Sequence, residues 1–442
     1  PFNRNVQRRI QFMDNCLPGW QGDLQVAGDA GLQGPSALRF DGGNQGAYPG
    51  DGRPILQTGG FCWTQPGFRF LRLIDPVSGV EGWSNPCCVT EEAPVRRLYW
   101  GDPHWQTIFS DGIRCPEELY AFARDEAFLD FGAITDHMEA VTDRQWDYFQ
   151  AVTNDYNEPG VFATLQGQEW THHLGDRGAP GHRNIYYRGN GGPPLRCTDP
   201  DCNTLEKLWS KLDALENVRA LAVPHHSANA IMGVKWQLGW NPDYEKAVEI
   251  YSVWGSSEKP ASAGNPRPIR NCRGEMDGRH VRDALLRGFR LGFMGGGDIH
   301  DGRPGDAMHR QSYPGDNPGH YDSGLTAVLA PALSREQVFD AIADRRTYAT
   351  TGSRIFLDVR VDTDGNRTRL RLQAASQHTI RRAVVVRRTG EEPVEGLETG
   401  GFSVDRTLEL PDLADDDFLY VRIETGSGEM AWSSPVWVRR TT

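Results

Sequence analysis

Residues 98–354 alternate short apolar runs of strand type with amphipathic helical patterns, and this alternation restricts the possible folds more than any other feature. Residues 98–101 and 129–135 have strand character, and the stretch between them has helical spacing. The alternation recurs with a helix over residues 205–215 and a strand over residues 220–223. Alternating strands and helices predict a parallel sheet or barrel, and in such barrels the active site lies at the carboxyl ends of the strands.

The flanking stretches have a different character. Residues 1–97 are rich in Gly and Pro with short β-like runs, and residues 355–442 carry short alternating strands separated by polar turns, as in β-sandwiches. A run beginning at Phe70 and another at Phe418 are each followed by a turn and a Trp-Ser-x-Pro segment, which predicts the same hairpin twice. We therefore expect an N-terminal β-rich module, a central (β/α) unit over residues 98–354 and a C-terminal β-sandwich module.

Composition excludes several classes of partner. The chain has 442 residues and a net charge of -12, from 47 basic and 59 acidic residues, which opposes non-specific binding to nucleic acid. No run approaches the roughly 20 apolar residues that cross a bilayer, so no membrane partner is expected. The eight Cys residues form no paired CxxC motifs and predict no structural zinc site. We expect a cytoplasmic protein, with export as the alternative if a leader was removed before Pro1; the oligomeric state is left open.

Histidine and acidic residues follow several of the strand-like runs. Each residue alone has an ordinary explanation, such as a helix cap or a buried ion pair. The whole set is not explained in this way, and divalent metals bind this mixture of imidazole and carboxylate ligands. The sequence therefore predicts a metal site formed where these strands end, by His104, His137, Glu169, His225, Asp298 and His300.

The order of these motifs resembles the PHP (polymerase and histidinol phosphatase) superfamily. The resemblance rests on the stretches 104–112, 134–137, 168–170, 181–184, 224–225, 255–258 and 298–305. It implies a distorted seven-stranded (β/α) barrel over residues 98–354 and one to three divalent ions per chain, with Mn, Zn or Fe as the candidates. By this resemblance, His104 and Asp298 bind one metal with Glu169 bridging, His182 and His225 bind a second, and His137 and His300 bind a third, with Asp111 beside them.

Three residues leave alternatives open. The family pattern has a second His two positions after the first, where this chain has Gln106, a weaker and neutral ligand; the first site then binds metal weakly, stays empty, or uses Gln106 to contact substrate. His226 is either a packing residue or a general acid. Arg183 either orients an anionic group or forms a salt bridge.

The resemblance implies that the protein is a metal-dependent hydrolase, and we expect it to attack a small-molecule, anionic phosphoester with a metal-activated water. Asp111, Arg183 and His226 are its catalytic candidates, and its substrate-binding candidates are Gln106, Trp105, Trp170 and Glu258. One alternative is a hydrolase or lyase acting on a carbohydrate or aromatic compound. Another is a non-catalytic binding protein whose barrel has decayed.

Overall fold

The structure is a computed structural model that describes residues 21–40, 58–172, 179–305, 320–364, 367–397, 400–411 and 413–439. The N-terminal region forms a four-stranded antiparallel sheet in the order β3-β1-β6-β7 and two separate strand pairs, β2-β4 and β5-β8. These strands are β1 (Gly22–Gly28), β2 (Leu32–Gln33), β3 (Ala37–Phe40), β4 (Cys62–Trp63), β5 (Gly67–Arg69), β6 (Leu71–Ile74), β7 (Glu81–Trp83) and β8 (Cys87–Val89).

The central region contains the five α-helices of the described residues. Their starts are fixed by local chemistry: Thr142 accepts a hydrogen bond from the backbone of Gln145 at the start of α2, and Pro116 occupies the first turn of α1. The helices are α1 (Pro116–Asp125), α2 (Asp143–Asp155), α3 (Leu205–Asp213), α4 (Val281–Leu286) and α5 (Arg335–Ala343). Short 3-10 helices span Met138–Ala140, Trp236–Leu238 and Ala261–Ala263.

The central and C-terminal strands are nearly all buried on at least one face. The central strands are β9 (Arg97–Trp105), β10 (Phe131–Ile134), β11 (Ala163–Thr164), β12 (Gln166–Trp170), β13 (Arg183–Tyr187), β14 (Ala220–Pro224), β15 (Ala247–Ser252), β16 (Gly255–Ser256), β17 (Gly292–Gly295), β18 (Leu325–Ala330) and β19 (Thr347–Thr350). The C-terminal strands are β20 (Phe356–Asp364), β21 (Arg367–Arg387), β22 (Gly390–Pro393), β23 (Gly401–Leu410), β24 (Phe418–Thr425), β25 (Met430–Ser433) and β26 (Val436–Trp437).

One mixed sheet of 12 strands connects the two regions. Its main path runs β11-β10-β9-β18-β19-β25-β24-β21-β20, with β22 and β23 paired to β21 and β26 paired to β24. The pairs among β9, β10 and β11 are parallel, whereas the pairs from β18 onward are antiparallel. Strand pairing therefore continues across the predicted boundary at residue 354, and the domain limits remain predictions.

The expected α/β fold, built on a distorted seven-stranded (β/α) barrel, is wrong. The protein is mostly β, with 38% strand and 15% helix, and its largest element is the mixed sheet. β12, β13 and β14 form a separate antiparallel sheet. β15, β16 and β17 form a small mixed sheet, in which β15 is parallel to β17 and antiparallel to β16. Antiparallel neighbours need no crossover helix, whereas parallel neighbours do. A short apolar run has the same pattern in either direction, so the alternation did not reveal which strands were antiparallel.

The N-terminal strands pack against the C-terminal ones through aromatic rings. The ring of Trp83 stacks on that of Phe402 at 5.3 Å between centroids, and Phe68 meets Phe356 edge-on at 5.0 Å. Among the described residues, no helix has both the length and the apolar character needed to cross a membrane.

Candidate metal centre

The site is built around Glu169, whose carboxylate lies where several strands end. Glu169 lies near the end of β12 and is fully buried. Isolated bridges join the backbone of His137 to Glu169 and that of Trp105 to Ile299, so the ends of β9, β10 and β12 meet the segment that follows β17. His182 reaches the same edge from the opposite direction, because it precedes β13 and β13 runs antiparallel to β12.

Both oxygens of the Glu169 carboxylate contact histidines that the sequence singled out. Oε1 lies 2.9 Å from Nδ1 of His182 and 3.2 Å from Nε2 of His225. Oε2 lies 3.4 Å from Nε2 of His104 and 3.4 Å from Nδ1 of His137. One buried carboxylate therefore connects imidazoles from four separate segments of the chain.

The side chains fall into three groups whose ligand atoms lie within 4.8 Å of one another. The groups are His104, His225 and Asp298; His182, His225 and His226; and Asp111, His137 and His300. The first two groups are buried, and His225 belongs to both. The third is more open, because half of the Asp111 side chain is exposed. The three groups differ from the ligand sets implied by the resemblance in two ways: His225 also joins His104 and Asp298, and His226 joins His182 and His225.

The open group is held by reciprocal contacts. Oδ2 of Asp111 lies 3.2 Å from Nε2 of His300, and its Oδ1 lies 3.5 Å from Nε2 of His137. Nδ1 of His137 also lies 2.8 Å from the hydroxyl of Thr171. Two nitrogens and a carboxylate thus converge at the most accessible edge of the site.

The imidazoles keep the carboxylates of Glu169 and Asp111 ionised. Burial would raise the pKa of Glu169, but the nearby rings of His137 and His225 outweigh it and hold that pKa well below its usual range. The pKa of Asp111 is also lowered, since hydrogen bonds and charge from His137 and His300 outweigh its partial burial. Both groups are therefore anions at neutral pH, as metal ligands must be.

The carboxylates in turn favour positive charge on particular rings. Burial lowers the pKa of an imidazole, but at His104 the carboxylates of Asp298 and Glu249 outweigh it, and that pKa lies well above its usual value. His225 and His226 behave differently: burial lowers the pKa of both, and the neighbouring ring of His225 adds to the effect at His226. His225 and His226 are thus neutral imidazoles whose lone pairs are free for coordination, and they lie beside carboxylates that attract a cation.

Glu249 is a member of the site that the sequence reasoning missed. Its two oxygens lie 3.0 and 3.2 Å from Nδ1 of His104, which leaves Nε2 of that ring facing Glu169 and Asp298. A carboxylate in this position fixes the orientation of a ligand histidine and makes it a better donor. Glu249 lies in the middle of β15 rather than after a strand, so the strand-end pattern could not single it out.

A run of three glycines lets the chain pass beside two buried carboxylates. A Cβ on Gly296 would come 2.1 Å from Oε2 of Glu249, and one on Gly297 would come 2.5 Å from Oδ2 of Asp102. Asp102 accepts a hydrogen bond of 2.6 Å from the backbone of Gly297, and burial raises its pKa to about 7. The absence of side chains here places Asp298 against His104, with Asp298 in the left-handed region at φ 50°.

The donor set fits a bound metal. Nε2 of His182 donates to the carbonyl oxygen of His172 at 3.0 Å. Its Nδ1, 2.9 Å from Oε1 of Glu169, is buried without a hydrogen-bond partner. Oε1 of Gln106 and Nδ1 of His226 are also buried without a hydrogen-bond partner. Unpaired buried polar atoms of this kind cost about 1–3 kcal/mol each, and a cation could satisfy them.

Two of the predicted polar site residues are engaged elsewhere. Nε of Arg183 donates to Glu245 at 3.0 Å, and its Nη1 donates to the carbonyls of residues 180 and 181. The carboxylate of Glu258 accepts hydrogen bonds from Tyr420 and Arg422 at 2.7 Å each. Of the alternatives for Arg183, the structure contains the salt bridge, and Glu258 is fully buried against the C-terminal sheet.

The two predicted aromatic contacts are core residues. Trp105 is fully buried and its ring meets Tyr120 edge-on at 5.4 Å. Trp170 is also fully buried, and its indole N–H donates to the carbonyl of Cys202 at 2.9 Å. Neither ring presents a surface to a substrate in this structure.

Gln106 lies inside the candidate site, beside His104 and Glu169. Its amide nitrogen donates to Oε2 of Glu169 at 2.9 Å and to the carbonyl of Thr135 at 3.3 Å, and it lies 3.4 Å from Nε2 of His104. The amide nitrogen of Gln106 therefore orients the Glu169 carboxylate, at a position where a histidine would add an imidazole ligand.

We expect Gln106→His to raise the number of metal ions bound per chain, because it adds an imidazole beside His104. The measurement is elemental mass spectrometry on protein purified without chelator. Gln150→His, on helix α2, is the matched control and should leave the metal content unchanged. Equal metal content in the wild type and Gln106→His would mean that residue 106 only positions Glu169.

Comparison with known proteins gives relatives without an assigned activity. The chain is 26% identical over 378 residues to an uncharacterized protein of Chlamydia pneumoniae, covering 79% of this chain and 58% of that protein. It is also 26% identical over 407 residues to uncharacterized proteins of Chlamydia muridarum and Chlamydia trachomatis, in each case covering 85% of this chain and 63% of the relative. The chain thus spans only about three fifths of the length of these relatives.

A solved structure and a family model also match. The structure is a two-domain protein from Bacteroides vulgatus containing a predicted PHP-like metal-dependent phosphoesterase; it is 14% identical, with a TM-score of 0.37, covering 76% of this chain and 93% of that one. This similarity is too low to carry an argument about fold or activity. The family model is that of DUF3604, described as a protein of unknown function. It matches residues 114–250 and 280–386, which make up more than half of the chain. The chain therefore belongs to the DUF3604 family.

Proposed function

We propose that this protein is a metal-dependent hydrolase that uses a metal-activated water to cleave a small-molecule phosphoester. The observation that carries the proposal is the set of three ligand groups arranged around the buried carboxylate of Glu169. A single such group is common on protein surfaces, but two buried groups joined by one carboxylate cost desolvation energy that an unused site would not repay.

The residues that would hold metal are those of the three groups together with Glu169. Bound divalent ions lower the pKa of a coordinated water and stabilise negative charge that develops on the substrate. Glu169 and Asp298 contribute buried negative charge, and His104, His182 and His225 contribute imidazole nitrogens. This mixture of ligands suits Zn, Mn or Fe rather than a purely oxygen-seeking ion.

The remaining residues act by positioning these ligands. Gln106 holds one oxygen of Glu169, and Glu249 holds the ring of His104, so both ligands are oriented before anything binds. Asp111, half exposed beside His137, marks the side from which solvent and substrate reach the ligands. Preorganised donors of this kind need no rearrangement during the reaction.

The charge balance favours an anionic substrate. The three groups and Glu169 contain three carboxylates, those of Glu169, Asp298 and Asp111. Glu249, beside His104, adds a fourth carboxylate, so two divalent ions would balance these charges and a third would leave an excess of positive charge that attracts a phosphate group. Since Arg183 is paired with Glu245, this attraction would come from bound metal rather than from that guanidinium.

Metal content and a phosphoester panel test the proposal together. Protein purified without chelator should contain divalent metal, and it should release phosphate from at least one phosphomonoester or phosphodiester class when Mn or Zn is added. Metal-loaded protein that leaves every phosphoester intact would contradict the phosphoester assignment and direct attention to carbohydrate or aromatic substrates. Protein that binds no metal would contradict the hydrolase itself and favour a binding function.

Asp298→Ala should abolish most of the hydrolysis and lower the metal content. The change removes a buried negative ligand 3.3 Å from His104 and leaves the charge of a bound ion without compensation. By analogy with the loss of one charge-stabilising group, the rate should fall about 100-fold or more. The measurement is kcat together with metal per chain. Asp358→Ala, on β20, is the control, and full turnover by Asp298→Ala would refute this part of the site.

A further inference from the structure

His226 is the one histidine of the buried groups that the sequence did not place among the ligands. It is 4% exposed, and its ring centroid lies 4.3 Å from that of His225 and 4.9 Å from that of His182. One ring nitrogen from each of these three residues lies within 4.8 Å of the others. Packing alone would explain a buried ring, but not why it lies among two other imidazoles.

The backbone at this position explains how two consecutive histidines reach the same place. Successive residues of an extended strand point to opposite faces, so His225 and His226 should diverge after β14. His226 instead adopts φ 31°, in the left-handed region, and its carbonyl accepts a hydrogen bond of 2.9 Å from the backbone of Asn229. A strained residue of this kind is kept where the surrounding structure holds it, and such residues concentrate at functional sites.

The surroundings of the His226 ring leave a donor atom unused. Nδ1 is buried and has no hydrogen-bond partner, and Nε2 lies 4.0 Å from Oδ2 of Asp298, beyond hydrogen-bonding distance. The edge of Trp254 covers the ring on another side, with 6.1 Å between centroids. A packing histidine would normally satisfy its ring nitrogens, so this one is better explained as a ligand.

We propose that His226 is a metal ligand, and that it completes with His182 and His225 a three-imidazole site selective for zinc. The inference rests on the proposed metal-dependent function and specifies one of its sites. Imidazole nitrogens suit Zn²⁺, and three protein ligands with one open position are the usual arrangement of a catalytic zinc ion. Oε1 of Glu169, 2.9 Å from Nδ1 of His182 and 3.2 Å from Nε2 of His225, supplies the neighbouring negative charge.

The assignment also decides which of the two buried ligand groups contains His225, which lies within reach of both. One ring nitrogen coordinates one ion, so His225 cannot complete both buried groups through the nitrogen that faces Glu169. With His226 present, the three histidines form a complete set. The ion beside His104 is then left with Asp298 and Glu169, which makes it the weaker of the two buried sites.

His226→Asn is the variant that tests this assignment. Asn removes the imidazole but tolerates the left-handed backbone better than other residues, so the fold should be retained. His378→Asn, on β21, is the matched control. We expect the variant to lose one zinc ion per chain by elemental mass spectrometry and to bind zinc about 100-fold more weakly in competition with a chromophoric chelator, while the control matches the wild type.

The outcomes separate this inference from the proposed function. His226→Asn that retains the zinc content and affinity of the wild type would show that His226 is a packing residue or a general acid, and would overturn the inference. Wild-type protein that binds zinc through His226 but hydrolyses no phosphoester would support the inference and contradict the phosphoesterase. Wild-type protein that binds manganese or iron but no zinc would overturn the inference alone, and wild-type protein that binds no divalent metal would overturn both.

Discussion

Glu169→Gln is expected to remove at least one bound metal ion per chain and to abolish hydrolysis, while leaving the metal-free protein nearly as stable as the wild type. The carboxylate contacts imidazoles of all three groups, and an amide cannot provide the same negative charge. In the metal-free protein the cost is small, because the histidines can release their protons and no uncompensated charge stays buried.

The difference between the two metal states is the diagnostic result. A ligand present at 100 times its dissociation constant stabilises a protein by about 2.7 kcal/mol, and Glu169→Gln should lose most of that gain. Thermal unfolding with zinc and with chelator measures both states, and elemental mass spectrometry counts the ions. Glu409→Gln, an exposed residue on β23, is the control. A variant with unchanged metal content would place the metal elsewhere.

Arg422→Met should destabilise the fold strongly without removing metal. The guanidinium is 1% exposed and donates to Glu258 at 2.7 Å, to Glu391 at 2.8 Å and to Glu424 at 3.0 Å. Glu258 is fully buried, and Tyr420 also donates to it. Removing one partner of a buried ion pair costs about 3–5 kcal/mol, because the remaining charge stays in a low-dielectric environment.

Two further variants establish the cause. Arg369→Met removes an exposed pair with Glu409 and should change the free energy of unfolding by at most about 1 kcal/mol. The double variant Arg422→Met, Glu258→Leu removes both charges and should recover part of the loss. Denaturant unfolding measures all three. A double variant that is less stable than Arg422→Met would show that the charge of Glu258 is not the source of the cost.

The sequence predicted which histidine and acidic side chains lie together better than it predicted the fold around them. His104, His137, His225 and Asp298 lie at or just after strand ends, a short-range feature that a linear pattern can reveal. Glu249 and the salt bridge of Arg183 depend on which strands become neighbours, and that information is not local. The prediction of a barrel was wrong for the same reason. A (β/α) barrel needs parallel neighbouring strands, and the direction of strand pairing is not visible in a local pattern.

Local repeats were also visible in the sequence. The two similar hairpins form as predicted, with β6 antiparallel to β7 and β24 antiparallel to β25. In both, an arginine lies opposite a tryptophan: Arg72 opposite Trp83, and Arg422 opposite Trp432. Their environments differ, however. Arg72 is 36% exposed and Arg422 is buried, so similar segments acquired different electrostatic roles from their neighbours.

The glycine run 295–297 shows that the site depends on positions that carry no functional group. A Cβ at Gly295 would come 2.6 Å from the carbonyl oxygen of Leu325, and one at Gly296 or Gly297 would come 2.1 or 2.5 Å from the carboxylates of Glu249 or Asp102. Since Glu249 orients the ring of His104, a side chain at Gly296 would displace a group that positions a candidate ligand. A redesign that transplanted only the histidines and carboxylates into another scaffold would therefore lack the space that lets them meet.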